Sequence, residues 1–190
     1  MALPDSYLAI LQRLASVCAL YRGRTGNSAV LVGGAATALY TDGSFMSCDF
    51  DIVAGVDEEF IKAMLLHGFK REDRPGHLLV GFYHPDHPGY GVQQVTPPLF
   101  DGRSDPSRLV HLSLDLPGEV TLPSVEDMIA DRLAQHAGAS PTDTSRLNQA
   151  RALYALADGP DRDYLVRRIC EEDGDPALIG LPPCKGGAKA

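Results

Sequence analysis

The sequence predicts an α/β (α+β) protein with a C-terminal helical subdomain. Short apolar runs bounded by glycine and polar residues are concentrated before residue 120. Helical periodicity takes over after Pro123. Hydrophobic residues make up 44% of the 190 positions, enough for a packed core and too many for a disordered chain. The expected division is a core over 1–120, a helical subdomain over 121–175, and a loosely ordered Gly-, Pro- and Lys-rich tail over 176–190.

The elements follow in order. Leu8, Leu11, Leu14, Cys18 and Tyr21 recur at three- and four-residue steps, so residues 5–21 read as an amphipathic helix, with a polar turn over Arg22–Asn27. Ala29-Val30-Leu31-Val32 ends at Gly33-Gly34 and suits a buried strand. Ala35–Tyr40 reads as a short helix of small residues, and Thr41–Ser47 as a loop. Phe50–Ala54 reads as a strand, and Asp57–His67 as a helix stopped by Gly68. Strands are expected at Leu78–Tyr83, Gly91–Val95 and Leu109–Asp115, with a loop or hairpin between Tyr83 and Tyr90. Ser124 stands three residues before Asp127, the spacing of a capping box, and opens a first helix. Two more helices follow near 143–156 and 162–172.

The net charge of −8 argues against a broad nucleic-acid-binding surface, which needs clustered Lys and Arg. No run approaches the roughly 20 apolar residues of a membrane helix, and the N-terminus lacks the pattern of a signal peptide. The four cysteines, at 18, 48, 170 and 184, form no CxxC pair. Four free thiols in a reducing cytoplasm, and no structural zinc, are therefore expected.

The chemically informative pattern is Gly33-Gly34 followed by Asp49-Phe50-Asp51. Glycines between a strand and a helix let backbone N–H groups approach a phosphate at the helix N-terminus. Asp49 and Asp51, two residues apart on a strand, leave the same face. Paired carboxylates repel unless a divalent cation, a raised pKa or a basic side chain compensates. A phosphate cradle beside such a pair is the equipment of nucleotidyl transfer.

Val30-Leu-Val-Gly-Gly-Ala-Ala-Thr-Ala-Leu-Tyr40 followed by Ser47-Cys-Asp-Phe-Asp-Ile-Val53 resembles the nucleotidyltransferase superfamily, with the DNA polymerase β-like fold. More narrowly, it is similar to the small prokaryotic members grouped with type IV toxin–antitoxin nucleotidyltransferases. Pro123–Ala134 and Arg151–Glu172 are similar to the helical segments that follow the core in those relatives, so the resemblance spans about residues 25–172. It implies a nucleotidyltransferase-like mixed sheet flanked by helices. It also implies a Mg²⁺-dependent enzyme that transfers a nucleoside monophosphate from an NTP such as ATP to a hydroxyl of a protein, RNA or small molecule. In that reading Asp49 and Asp51 are catalytic and hold the metal, Gly33, Gly34 and Ser47 seat the phosphates, and Arg132 contacts the nucleotide. A toxin or antitoxin partner is a further implication.

One position departs from the pattern. The superfamily places a third carboxylate on a later strand, and the matching segment here, Gly91-Val-Gln-Gln-Val-Thr-Pro-Pro98, offers Gln93 and Gln94. Glutamine cannot deprotonate a hydroxyl. Two carboxylates suffice, or Asp86 or Asp101 substitutes, or the chain is a degenerate nucleotide-binding or toxin–antitoxin partner module. The remaining clusters have plain readings beside sharper ones. His84-Pro-Asp-His87 is half of a metal site or a solvated hairpin. Lys70, Arg71 and Arg74 reach a triphosphate or form a solvated charge run. Asp131-Arg132 faces a cleft or forms a structural ion pair. Ser47 orients phosphate or caps its loop. Cys48, beside Asp49, is a poor nucleophile because the carboxylate raises a neighbouring thiol pKa.

Overall fold

The computed structural model describes residues 3–74, 81–113 and 118–184. The chain forms two compact units, Met1–Leu99 with Leu109–Pro123, and Phe100–Arg108 with Ser124–Ala190.

The first unit runs α1 (Asp5–Thr25), β1 (Val30–Val32), α2 (Gly33–Tyr40), β2 (Asp49–Val53), α3 (Asp57–Leu66), β3 (Lys70–Arg71), β4 (Phe82–His84), β5 (His87–Val95), β6 (Val110–Ser113) and β7 (Glu119–Leu122). The strands make a seven-stranded sheet in the order β3-β4-β5-β2-β1-β7-β6. It is mixed: β2 is antiparallel to β1 and parallel to β5, and β7 is parallel to β1.

Alternation along β2 decides what each sheet face carries. Phe50 and Ile52 turn towards α1 and are buried, with the Tyr7 ring 4.9 Å from Phe50. Tyr21, farther along α1, meets Phe60 of α3 edge-on at 6.0 Å. Asp49, Asp51 and Val53 take the opposite face. There Val53 joins Val30 and Val32 in a small buried cluster against Val95, Leu99 and Leu109.

Several boundaries differ from the sequence reading. α1 continues through the expected turn to Thr25, because the left-handed stop falls at Gly26, with φ 74°. α2 begins at the glycine pair itself, not two residues later. Of the two options for the segment between Tyr83 and Tyr90, loop or hairpin, the structure forms a tight hairpin in which His84 pairs with His87. Strand β7 was missed: Pro117-Gly118 reads as a break, and the four residues after it are too few to show a period. Parts of two expected strands, residues 78–80 and 114–115, lie outside the described residues.

The second unit contains α4 (Val125–Ala137), α5 (Ser145–Leu156) and α6 (Arg162–Glu171). Ser124 caps α4 as its spacing predicts, its Oγ accepting from the Asp127 N–H at 3.1 Å. Asp127 is itself buried and accepts from Arg168 Nε at 2.6 Å and from the Tyr164 hydroxyl at 3.0 Å.

The expectation of four free thiols is corrected, since Cys170 and Cys184 form a disulfide and only Cys18 and Cys48 are free. The thiol count therefore no longer speaks for a reducing compartment. The same bond ties down the start of the expected loose tail, where Pro176–Ile179 forms a 3-10 turn and Leu181 is buried. Spacing alone could not show this pairing, because it depends on where the chain after α6 turns back. No described helix is long and apolar enough to cross a membrane.

Candidate active site

The site is built where β1 hands over to α2, with β2 and β5 alongside. Val32 pairs in register with Asp51, and the next residue, Gly33, has a left-handed φ of 69°. A Cβ on Gly33 would lie 2.5 Å from Asp51 Oδ2, so no other residue fits there without displacing the carboxylate. Gly34 is closed in the same way by Ser47, whose Oγ would sit 2.9 Å from an added Cβ. Gly91 on β5 does the same for Asp49, with Oδ1 at 2.9 Å. Three glycines thus clear room for two carboxylates and a hydroxyl.

Ser47 is occupied locally. Its Oγ accepts from the Asp49 N–H at 3.2 Å and donates to the Asp49 carbonyl at 3.0 Å, fixing the entry to β2. The first turn of α2 begins at Gly33 with no side-chain cap, and its leading N–H groups are the kind that bind anions. Thr37 Oγ1 donates to the Gly33 carbonyl at 3.0 Å and stiffens this turn.

Register places the glutamines. Gln93 pairs with Asp51 across β2 and β5, so its side chain shares the carboxylate face. Gln94 points the other way and donates to the Ala54 carbonyl at 3.1 Å and to Asp57 Oδ1 at 2.7 Å. Gln93 is therefore the residue at the third-carboxylate position. Of the alternative acids, Asp86 is paired with Arg13 at 2.9 Å, and Asp101 belongs to the second unit, in a short turn over Leu99–Gly102. Among the described residues, no group of three or more His, Cys, Asp or Glu could hold a metal ion. His84 and His87 pair across the β4–β5 hairpin with their rings 5.6 Å apart, and His84 is buried. Burial, together with nearby Arg13, holds the His84 pKa below its ordinary value.

The structure brings Gly33, Gly34, Ser47, Asp49 and Asp51 together. Arg132 belongs to the helical unit, where it is 2% exposed. Its Nε donates to Asp131 at 2.9 Å and its Nη1 to Gln149 at 3.4 Å.

Two features escaped the sequence reading. Gly91 is one; a glycine inside a strand pattern is the signal for close approach by another group. The other is the cavity beside Arg74, a residue for which the sequence left two readings open, a triphosphate contact or a solvated charge run. Lys70 and Arg71 are exposed, but the Arg74 side chain is only 20% exposed and grips Glu72, itself 6% exposed. A cavity of about 430 Å³ adjoins Asp49 and Gln93 and is also lined by Glu72, Arg74, Tyr90 and Cys48. Behind its wall the Tyr7 hydroxyl is buried without a hydrogen-bond partner among the described residues. Burial, with Tyr90 and Cys48 nearby, pushes the Tyr7 pKa up.

Chemically, two carboxylates on one face, one exposed and one half-buried, can hold a divalent cation that completes its shell with substrate phosphates. The helix start beside them can receive an anion.

No family model and no curated protein matches the sequence. Solved structures do match. An antigenic nucleotidyltransferase-like protein from Paracoccidioides brasiliensis aligns over 90% of this chain and 89% of its own, with a TM-score of 0.56 at 15% identity. ANT(2″)-Ia in complex with adenylyl-2″-tobramycin aligns over 90% of this chain and 98% of its own, with a TM-score of 0.57 at 13% identity. The solution structure of the antibiotic-resistance factor ANT(2″)-Ia covers 87% and 89%, with a TM-score of 0.52 at 13% identity. The sheet and helices around Asp49 and Asp51 therefore belong to a nucleotidyltransferase-like fold.

Proposed function

We propose that this chain transfers a nucleoside monophosphate from an NTP, with ATP the first candidate, to an acceptor hydroxyl. The observation that carries this reading is the Asp49–Asp51 pair on one face of β2, with Gly33 and Gly91 packed against the two carboxylates and the start of α2 alongside. Asp49 and Asp51 would hold Mg²⁺, a cation that usually takes one or two carboxylates and fills its shell with phosphates and water. Bound there, the metal supplies positive charge to the triphosphate and orients the attack.

The chain's own residues do the rest. Backbone N–H groups at Gly33 and Gly34 face the outgoing phosphates, and Ser47 keeps Asp49 in place. The acceptor oxygen bonds to the α-phosphorus, the bond from that phosphorus to the α–β bridging oxygen breaks, and pyrophosphate leaves with its electron pair. The hydroxyl proton leaves to water, because the amide of Gln93 cannot take it.

A second reading is favoured by one observation, Gln93 in register with Asp51. It makes the chain a nucleotide-binding module without transfer, or one half of a toxin–antitoxin pair. The test is calorimetric titration of the four NTPs with Mg²⁺ into wild type and into an Asp49→Asn, Asp51→Asn double variant. Acceptor labelling from α-labelled NTP follows. Metal-dependent binding that disappears in the variant supports the site. Binding without any transfer selects the nucleotide-binding module, and no binding in wild type removes the nucleotide site and leaves only the toxin–antitoxin partner.

A further inference from the structure

We propose that the cavity beside Asp49 is an acceptor subsite for a small hydroxyl-bearing molecule that carries a carboxylate or phosphate, with Arg74 as the group that recognises the anion. This rests on the transfer reading above and names the acceptor class that reading leaves open.

Size comes first. A volume of about 430 Å³ falls in the range of small-molecule pockets and is too small for a folded protein segment or a nucleic-acid helix. Position comes second: Asp49 and Gln93 form one side, so a hydroxyl on that side lies next to the carboxylate pair.

Donor geometry decides the class. Arg74 is the single cation among the described residues that line the cavity. Its guanidinium is fixed in place before any ligand arrives. Nε donates to Glu72 Oε1 at 2.8 Å, Nη2 to Glu72 Oε2 at 2.5 Å, and Nη1 to the Pro88 carbonyl at 2.5 Å. The Tyr83 ring stacks under it, 4.1 Å from centroid to Cζ. Arg74 and Glu72 compensate each other's charge, so recognition rests on the directed N–H donors of the held guanidinium and not on net charge. A guanidinium carries five N–H donors, and the three bonds above leave one on each Nη. Two parallel donors on a rigid plane match the two oxygens of a carboxylate or phosphate. A polycationic acceptor would meet Arg74 head-on, and a neutral polyol would leave its fork unused.

Cys48 provides a readout that needs no catalysis. It is free, exposed and part of the same wall. Cys18 is buried with its thiol pushed up to about 12 by burial, and the other two cysteines are joined, so alkylation reports Cys48. The experiment measures iodoacetamide alkylation of Cys48 with Mg²⁺ and a non-hydrolysable ATP analogue, adding gluconate, glucose 6-phosphate, myo-inositol or tobramycin in turn.

Gluconate or glucose 6-phosphate is expected to protect Cys48, and which of the two does so separates carboxylate from phosphate recognition. Inositol and tobramycin are expected not to protect. Arg74→Lys keeps the charge but loses the fork and should weaken protection about tenfold or more, the loss expected for a charged hydrogen-bonded pair. Glu72→Gln, which loosens the fork without removing it, should weaken protection less. Calorimetric binding of Mg–ATP should be unchanged in both variants, which also shows that they fold. Protection by tobramycin or inositol alone, protection unaffected by Arg74→Lys, or no protection by any probe overturns the proposal. Nucleotide binding is read separately, so a chain that protects Cys48 but binds no nucleotide breaks the transfer reading and leaves the cavity standing.

Discussion

Asp49 and Asp127 are the same side chain put to opposite uses. Asp127 is buried in the helical unit and receives the Arg168 guanidinium at 2.6 Å, the Tyr164 hydroxyl at 3.0 Å and the Ser124 hydroxyl at 2.8 Å. Three internal donors converge on its two oxygens, so it rigidifies the helical unit from within. Asp49 is exposed, is bounded by a glycine on β5, and its side chain makes no hydrogen bond to another described residue. A carboxylate kept open in this way adds nothing to folding and repels its neighbour two residues on. On the function proposed above, the compensation comes from a cation that binds from outside. The contrast is between a charge satisfied inside the chain and one that a neighbouring glycine leaves room for.

The sharpest way to break this contrast is to remove the Asp49 charge together with the carboxylate that shares its face. Asp49→Asn with Asp51→Asn should abolish metal-dependent NTP binding and reduce transfer about a thousandfold or more, a loss of about 4 kcal/mol of transition-state stabilisation. The denaturation midpoint should stay nearly level, since neither carboxylate is fully buried. A large fall in stability with nucleotide binding intact would mean that the pair is structural.

The reverse experiment removes a closed charge. Arg168 also pairs with Glu171 at 2.8 Å and Glu172 at 2.6 Å, and it is wholly buried. Arg168→Met strands Asp127 in the core and should cost about 3 kcal/mol in urea denaturation, because one member of a buried pair is left unpaired. Mg–ATP binding by the first unit should survive wherever the variant is folded. A loss under 1 kcal/mol would show that the network is no more than a packed surface.

Much of the site could be read in the sequence because its causes are local. Gly33-Gly34 and Asp49-x-Asp51 announce themselves through backbone freedom and strand alternation, which need no knowledge of the rest of the chain. The capping box at Ser124 was legible for the same reason. What was not legible depended on partners distant in sequence. Gly91 matters only because β5 lies beside β2, and Arg74 only because the hairpin brings the Pro88 carbonyl to it. Gln93 rather than Gln94 holds the third position because of parallel register, which a sequence cannot display. The disulfide and β7 belong to the same class.

That disulfide offers a third test. It closes a loop across a separation of 14 residues that includes the 3-10 turn at Pro176–Ile179. Cys184→Ser should lower stability by about 2 kcal/mol through the freed chain entropy of the unfolded state. Dithiothreitol should do the same to wild type and nothing to the variant. If reduction leaves the wild-type midpoint unmoved, the pair contributes nothing to the helical unit, and Arg168 carries it alone.

The smallest change asks whether the open region is complete. Gln93→Asp puts a third carboxylate on the face of Asp51, at the position where register pairs the two. Without metal, like charges directly opposite on neighbouring strands should lower stability by up to about 1 kcal/mol. With Mg²⁺, bound cation should more than restore it, because ligand binding to the folded state stabilises by mass action. If deprotonation of the acceptor limits the wild-type reaction, transfer should rise about tenfold, the effect of about 1.4 kcal/mol on the barrier. A variant that is destabilised equally with and without Mg²⁺ would show that no cation sits between these strands. The exposed Asp49 carboxylate would then serve something other than a metal, and the contrast with Asp127 would need a different ligand to explain it.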